Sequence, residues 1–340
     1  MNSGFALRLC ISDDHEYPSW REPLKSVRIR YWYERLRQRT HLNTAYQLEQ
    51  LFEPDSFVHN SDGTIQYYKN KWIGYEQGRH LPQEALLKKV ERKLSGSTRD
   101  LNHPLWKSLD IANKRVMRDD AFLRELAPVV QNLLYQPAFD GMQSFEVRAP
   151  VTKSLLEKLE RRASMDVLAC LVWLLRESAA KQSKDSEMIG HALHNVLIIM
   201  TLEFESLKIG LPLLRLFIDH ILPLGVPAHH RMWMIPTDYL HASVNLNLLA
   251  SRRSKRWQDS VAWSNRIKIM QRLLKGRLGT DVLYAMRPQY QLDETNGEIP
   301  TEVIENYKRT CNLREWGWEN IWSITPESFP PLKLLLREER

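Results

Sequence analysis

The chain has 340 residues, 43% hydrophobic and 26% charged, a balance that allows two or three domains with real cores and excludes a disordered polyelectrolyte. Its formal net charge of +7 is unevenly placed: residues 251–277 carry +8, so the remainder sums to −1. Three distant cysteines give neither a disulfide framework nor paired zinc ligands, and no apolar run nears the ~20 residues of a membrane helix, so a soluble, cytoplasmic protein without membrane contact is expected.

Residues 1–104 read as a first domain. The opening MNSGFALRLCISDDHEY has too short an apolar patch and too early an acidic pair for a secretory signal. Residues 24–39 predict a helix with Val27, Tyr31 and Leu36 among its apolar positions, and they carry +5. TAYQLEQLF, 44–52, predicts a second helix capped by Thr44. Asp62-Gly63 lies between FVHN and TIQYY, and an Asx-Gly pair between β-prone residues predicts a hairpin. A helix over 67–77 and another over 83–94 follow; the second has Leu86, Leu87, Val90 and Leu94 on one face. SGSTRDLNHP, 95–104, reads as a linker or exposed loop.

Over the second half of helix 67–77 and up to the start of helix 83–94 runs W72-I-G-Y75-E-Q-G78-R79-H-L-P82. Gly78 suits the left-handed residue that ends a helix, and Pro82 suits a helix's first turn. Trp72 and Tyr75, three apart, share one face and are expected to pack inward. With Ala45, Leu48, Leu86 and Val90, this stretch resembles the helix-turn-helix of the repressor/Cro family, with EPDSFVHNSDGTIQ intervening between the first two helices. The resemblance covers about residues 44–94. It implies that helix 67–77 is a recognition helix for duplex DNA. Tyr68, Lys69, Asn70 and Lys71 would then lie at its leading end or outer surface, where such helices meet base edges in the major groove. Asn suits adenine, Lys suits guanine or phosphate, and Arg79 suits a phosphate contact.

From 105 to 285 helix follows helix, with no β-branched alternation to announce a sheet, and 286–340 reads as an irregular, Trp- and Pro-rich tail packed on that helical domain. The eleven Trp are expected mainly as buried anchors. Residues 251–277 read as a basic amphipathic helix with Trp263, Ile267, Met270 and Leu274 inward. At its start Arg252, Arg253, Lys255 and Arg256 oppose the helix dipole, which points to a phosphate ligand as one candidate.

The fold class expected is mainly α: a helix-turn-helix-like domain with a small hairpin insertion, a helical bundle, and the tail. The function expected is sequence-preferring duplex DNA binding, as a transcriptional regulator or a defence-associated protein, with the bundle open to a homodimer or protein partner. The alternative is an adaptor subunit of a larger prokaryotic assembly using the same fold for protein contacts. No cofactor or metal is expected, and no nucleophile elbow or phosphate-cradling glycine loop marks an enzyme. A hydrolase or nuclease would require His191, His194 or the cluster Asp13-Asp14-His15-Glu16 to meet other polar groups in a cleft.

Overall fold

The computed structural model describes residues 21–62, 64–68, 70–113, 120–140, 143–253 and 262–335. Helix α1 (Arg21–Thr40) and α2 (Ala45–Phe52) precede a hairpin of β1 (Phe57–His59) and β2 (Ile65–Tyr68), then α3 (Trp72–Glu76), α4 (Glu84–Lys93) and α5 (Ser97–Leu101). Next come α6 (Pro104–Leu109), α7 (Ala121–Arg124), α8 (Pro128–Leu134), a hairpin of β3 (Tyr135–Asp140) and β4 (Gln143–Arg148), α9 (Lys153–Glu160), α10 (Met165–Ala180), α11 (Asp185–Ser206) and α12 (Gly210–Leu216). The order closes with β5 (His230–Met232), α13 (Pro236–Arg253), α14 (Trp263–Leu274), α15 (Asp281–Ala285), β6 (Tyr290–Leu292), α16 (Thr301–Ile321) and α17 (Leu332–Leu335). The fold is mainly helical, and each described ladder is a two-stranded antiparallel pair.

Two apolar cores share one helix. Leu24, Val27 and Tyr31, spaced i, i+3, i+7, turn one face of α1 to the larger core, built on α10 and α11. Ile29, Trp32, Tyr33 and Leu36 turn other faces to the smaller core, where they meet Leu48 and Phe52 of α2, Trp72 and Tyr75 of α3, and Leu86 and Val90 of α4. Because α1 is buried on two sides, its polar residues are left few outlets to solvent. Arg28 donates to Leu101 O (2.6 Å) and Arg30 to Gln77 O (3.2 Å), so both guanidinia cap the carbonyl ends of neighbouring helices. Arg35 and Arg39 pair with Asp100, and Arg37 pairs with Glu34 at 2.8 Å. The +5 of residues 24–39 is therefore mostly consumed inside the fold.

Local rules account for the smaller elements. Thr44 Oγ1 accepts from Gln47 N, and the Gln47 side chain accepts from Thr44 N, a reciprocal cap that starts α2. Gly78 has φ +71°; Arg79 N donates to Gly74 O and Gly78 N to Tyr75 O, the paired bonds that close a helix on a left-handed residue. No side chain fits there. A Cβ on Gly78 would lie 2.4 Å from Ser26 Oγ and 2.6 Å from Ser26 O, so α3 meets α1 at this atom.

Several expectations are corrected. The helix expected over 67–77 spans only Trp72–Glu76, because 65–68 pair with β1 and Asn70 adopts a left-handed φ of +52° that breaks the chain before α3. Pro82 is not inside α4's first turn; α4 begins at Glu84. The expected linker 95–104 contains α5, whose Ser97 and Leu101 are buried, and the buried His103 and Pro104 that open α6. A hairpin, 135–148, interrupts the helical series where none was expected. The tail is not irregular: α16 is a 21-residue helix. It packs closely on α15, since a Cβ on Gly317 would lie 2.6 Å from Asp281 O and Ala285 N.

Gly78→Ala combines left-handed strain of about 1–3 kcal/mol with a backbone clash against Ser26. Urea unfolding of this variant is expected to show a loss of roughly 2 kcal/mol or more. A change below about 0.5 kcal/mol would contradict the close α1–α3 approach.

Candidate nucleic-acid interface

Trp72 holds the N-terminal unit together from within. Its ring is fully buried and lies parallel to Phe52 of α2 (centroids 5.5 Å, 10°), near-parallel to Trp32 of α1 (5.9 Å, 25°) and edge-on to Tyr75 (5.5 Å). The indole N–H finds its acceptor in Glu53 Oε2 at 3.0 Å. Burial, then the nearby Glu53 and Glu49, pushes the Tyr75 phenol up to about 12. Glu49 is itself almost wholly buried, with Ser56 Oγ donating to its Oε1; burial raises its carboxyl above the ordinary range.

This packing decides which expected contact residues reach solvent. Lys71 sits just before α3 with its ammonium on Glu53 Oε1 at 2.5 Å, so its charge is neutralised within the fold. Asn70 is exposed, on the connection into α3 rather than on the helix. Tyr68 ends β2 and not a helix; it pairs across the ladder with Phe57. Lys69 lies outside the described residues. Arg79, the third residue past the end of the helix, is exposed and makes no ion pair with any described residue. Beside it the exposed His80 covers Gly74, where a Cβ would come within 2.8 Å of the imidazole. Asn70, Lys71, Gly74, Gln77, Arg79 and His80 together line an open cleft of about 350 Å³. Sequence reasoning missed His80, whose signal is its place beside Arg79 directly after the left-handed glycine.

The second expected cluster is rearranged. Arg252 and Arg253 lie at the C-terminal end of α13, where cations complement the helix dipole and do not oppose it. Arg253 is structural: its guanidinium meets the buried Asp281 at 2.6 Å and also donates to Leu278 O. Arg252 is exposed, with its guanidinium 5.9 Å from the Trp322 ring centroid. Lys255 and Arg256 lie outside the described residues. In α14 the residues Ile267, Met270 and Leu274 are buried as expected, but Trp263 is 42% exposed. The structure thus gathers Asn70, Lys71 and Arg79 around one cleft, while Arg252 and Arg253 belong to α13, packed in the other core.

The histidine pair on α11 is divided. His194 is wholly enclosed; its Nε2 donates to Met286 O (2.9 Å), which leaves Nδ1 to accept from the Tyr239 hydroxyl (2.8 Å). Both ring nitrogens are thereby used. Burial is the main cause that lowers its pKa to about 3, and the same cause lowers His191 to about 4. The acidic and imidazole cluster at 13–16 lies outside the described residues. Among the described residues no helix is long and apolar enough to cross a membrane, and no three His, Cys, Asp or Glu side chains gather as a metal site. No family model, curated protein or solved structure matches the chain.

Two measurements test this geometry. Glu53→Ala strands the buried Trp72 N–H and is expected to cost about 1–3 kcal/mol, whereas Lys71→Ala removes only a partly exposed charge and should cost less than about 1 kcal/mol. Equal losses in urea unfolding would contradict the indole's dependence on Glu53. Since the folded pKa of His194 lies below the imidazole's ordinary value, its contribution is fully present above about pH 6.5 and is lost as pH falls toward 3. At about pH 5 that loss reaches roughly 2 kcal/mol, and His194→Gln should shrink the difference in urea midpoint between about pH 7.5 and pH 5. A pH response identical in variant and parent would rule out His194 as its source.

Proposed function

We propose that the N-terminal unit binds duplex DNA through the cleft edge formed by Asn70, Arg79 and His80. The observation that carries this reading is Arg79, which has no ion-pair partner among the described residues, on the turn between α3 and α4 beside the exposed His80 and across the cleft from the exposed Asn70 before α3. A guanidinium without a carboxylate partner is free to replace a phosphate's counterion, and Asn70 offers the donor–acceptor pair that reads adenine. Lys71 takes a lesser part than its place in the sequence implies, because a phosphate would have to compete with Glu53 for it. The short α3 makes phosphate contact the main source of affinity and base contact a smaller one. A transcriptional or defence role would follow from such binding.

A second reading, contact with a protein partner, is favoured by a different observation. Val244 and Leu248 stand exposed four residues apart on α13, and beyond them Trp322 and Ile324 are exposed at the end of α16. An adaptor would use that apolar surface; the two readings place the partner on different parts of the molecule.

Fluorescence anisotropy with a random-sequence duplex at two salt concentrations tests the first reading. The parent protein should bind more weakly at the higher salt, and Arg79→Ala should lower the log–log slope by about 0.9 for the one phosphate contact removed. Asn70→Ala should weaken binding several-fold without changing that slope. Binding that is absent at low salt, or unaltered by Arg79→Ala, would overturn it.

A further inference from the structure

We propose that a second cleft, remote in sequence from the first, binds a small organic phosphate. It lies where the N-terminal ends of α9 and α11 meet the C-terminal end of α14, and its volume is about 340 Å³, within the range of small-ligand pockets. Lys153, Lys184 and Lys275 converge on it, against one carboxylate, Glu187.

The three ammonium groups are not equivalent. Lys275 is fixed: its Nζ donates to Glu160 Oε1 at 2.8 Å, and Glu160 is a fully buried carboxylate that Asn195 (3.0 Å) and Gln271 (3.3 Å) also hold. One of its N–H groups is used there, and the others remain for a ligand. Lys153 and Lys184 are exposed and pair with no described carboxylate. Two cations with no carboxylate partner among the described residues thus share the cleft with a third whose charge Glu160 already balances and whose position a buried network fixes. Two of the three helix ends act in the same direction, while the third, the C-terminal end of α14, carries Lys275 against its own negative pole. Lys153 is the first residue of α9 and Lys184 is the N-cap of α11, so the positive ends of both helix dipoles lie at the cleft. Helix α11 starts without a side-chain cap.

The remaining wall defines the ligand further. Met188, half-buried over the buried Leu156, gives an apolar wall, and His191, whose pKa burial lowers to about 4, adds a neutral imidazole that bonds to no described residue. An anion alone would leave that surface uncovered. A phosphomonoester with a flat or apolar body, of nucleoside monophosphate size, satisfies both halves. The site belongs to the larger core and stands whether or not the N-terminal unit binds DNA.

Isothermal titration of the full chain at low salt with adenosine monophosphate, inorganic phosphate and adenosine tests the assignment. Adenosine monophosphate should bind saturably, inorganic phosphate more weakly, and adenosine at least tenfold more weakly than its phosphate. The double variant Lys153→Ala, Lys184→Ala changes only exposed side chains; it should keep the parent's melting curve and lose at least tenfold in affinity. Glu187→Gln removes the opposing charge and should tighten binding severalfold. No saturable binding of either phosphate, equal affinity for adenosine, or an unchanged affinity in the double variant would each overturn the proposal.

Discussion

The N-terminal unit depends on one buried indole. Trp72 is clamped between Phe52 and Trp32, so a single ring ties α3 to α2 and to α1. Helix α3 has only five residues, too few to persist by backbone bonding alone, and it exists because this stack holds it. Aromatic pairs of this kind add about 0.5–1.5 kcal/mol each beyond area burial. With Trp72 fixed, Gly78 is pressed against Ser26, the helix must end there, and the chain turns Arg79 and His80 outward. The exposure of the proposed contact residues is a consequence of the core beneath them. Helix α1 carries the constraint further, since its opposite face, through Leu24, Val27 and Tyr31, is part of the larger core.

Much of the positive charge of α1 is engaged inside the fold. The arginines of α1 cap carbonyls and pair with acids, and Arg176 on α10 does the same on a larger scale. Its guanidinium takes the carbonyl of Ser108 (2.6 Å) in the last turn of α6 and those of Asp110, Ile111 and Asn113 just past its end. A guanidinium serves this purpose well, because its planar donors can satisfy several acceptors at once and stay charged while buried. A positive sum over a segment therefore says little about partners until the paired cations are removed. What remains at the first cleft is Arg79, and at the second Lys153 and Lys184.

Much of the helical framework was legible in the sequence where local chemistry decides it. Thr44 with Gln47, the Asp62-Gly63 hairpin, the apolar face of α4 and the positive φ of Gly78 all follow from neighbours a few residues apart. The misreadings have long-range causes. Residues 67 and 68 fall within the expected helix, yet pairing with β1 keeps them in the hairpin strand, and Asn70 tolerates the left-handed bend that follows. Arg253 reads as a free cation until Asp281 is brought beside it from 28 residues away. Lys71 is neutralised by Glu53, 18 residues earlier, across the hairpin. The β3–β4 hairpin was readable: Asp140-Gly141 is the same signal as Asp62-Gly63, but it was masked by the helical run before it. Of the residues lining the first cleft, Asn70, Lys71 and Arg79 were singled out in the sequence and His80 was not. The second cleft joins residues from 153 to 275 and has no local signature.

The proposed meeting point of this protein with duplex DNA is the chain segment around the α3–α4 turn. Amide hydrogen exchange with and without a random-sequence duplex at low salt addresses it without altering any residue. The account predicts added protection confined to about residues 70–80 and the adjoining start of α4. Protection that appears instead on α13 and the end of α16, with 70–80 unchanged, would contradict it.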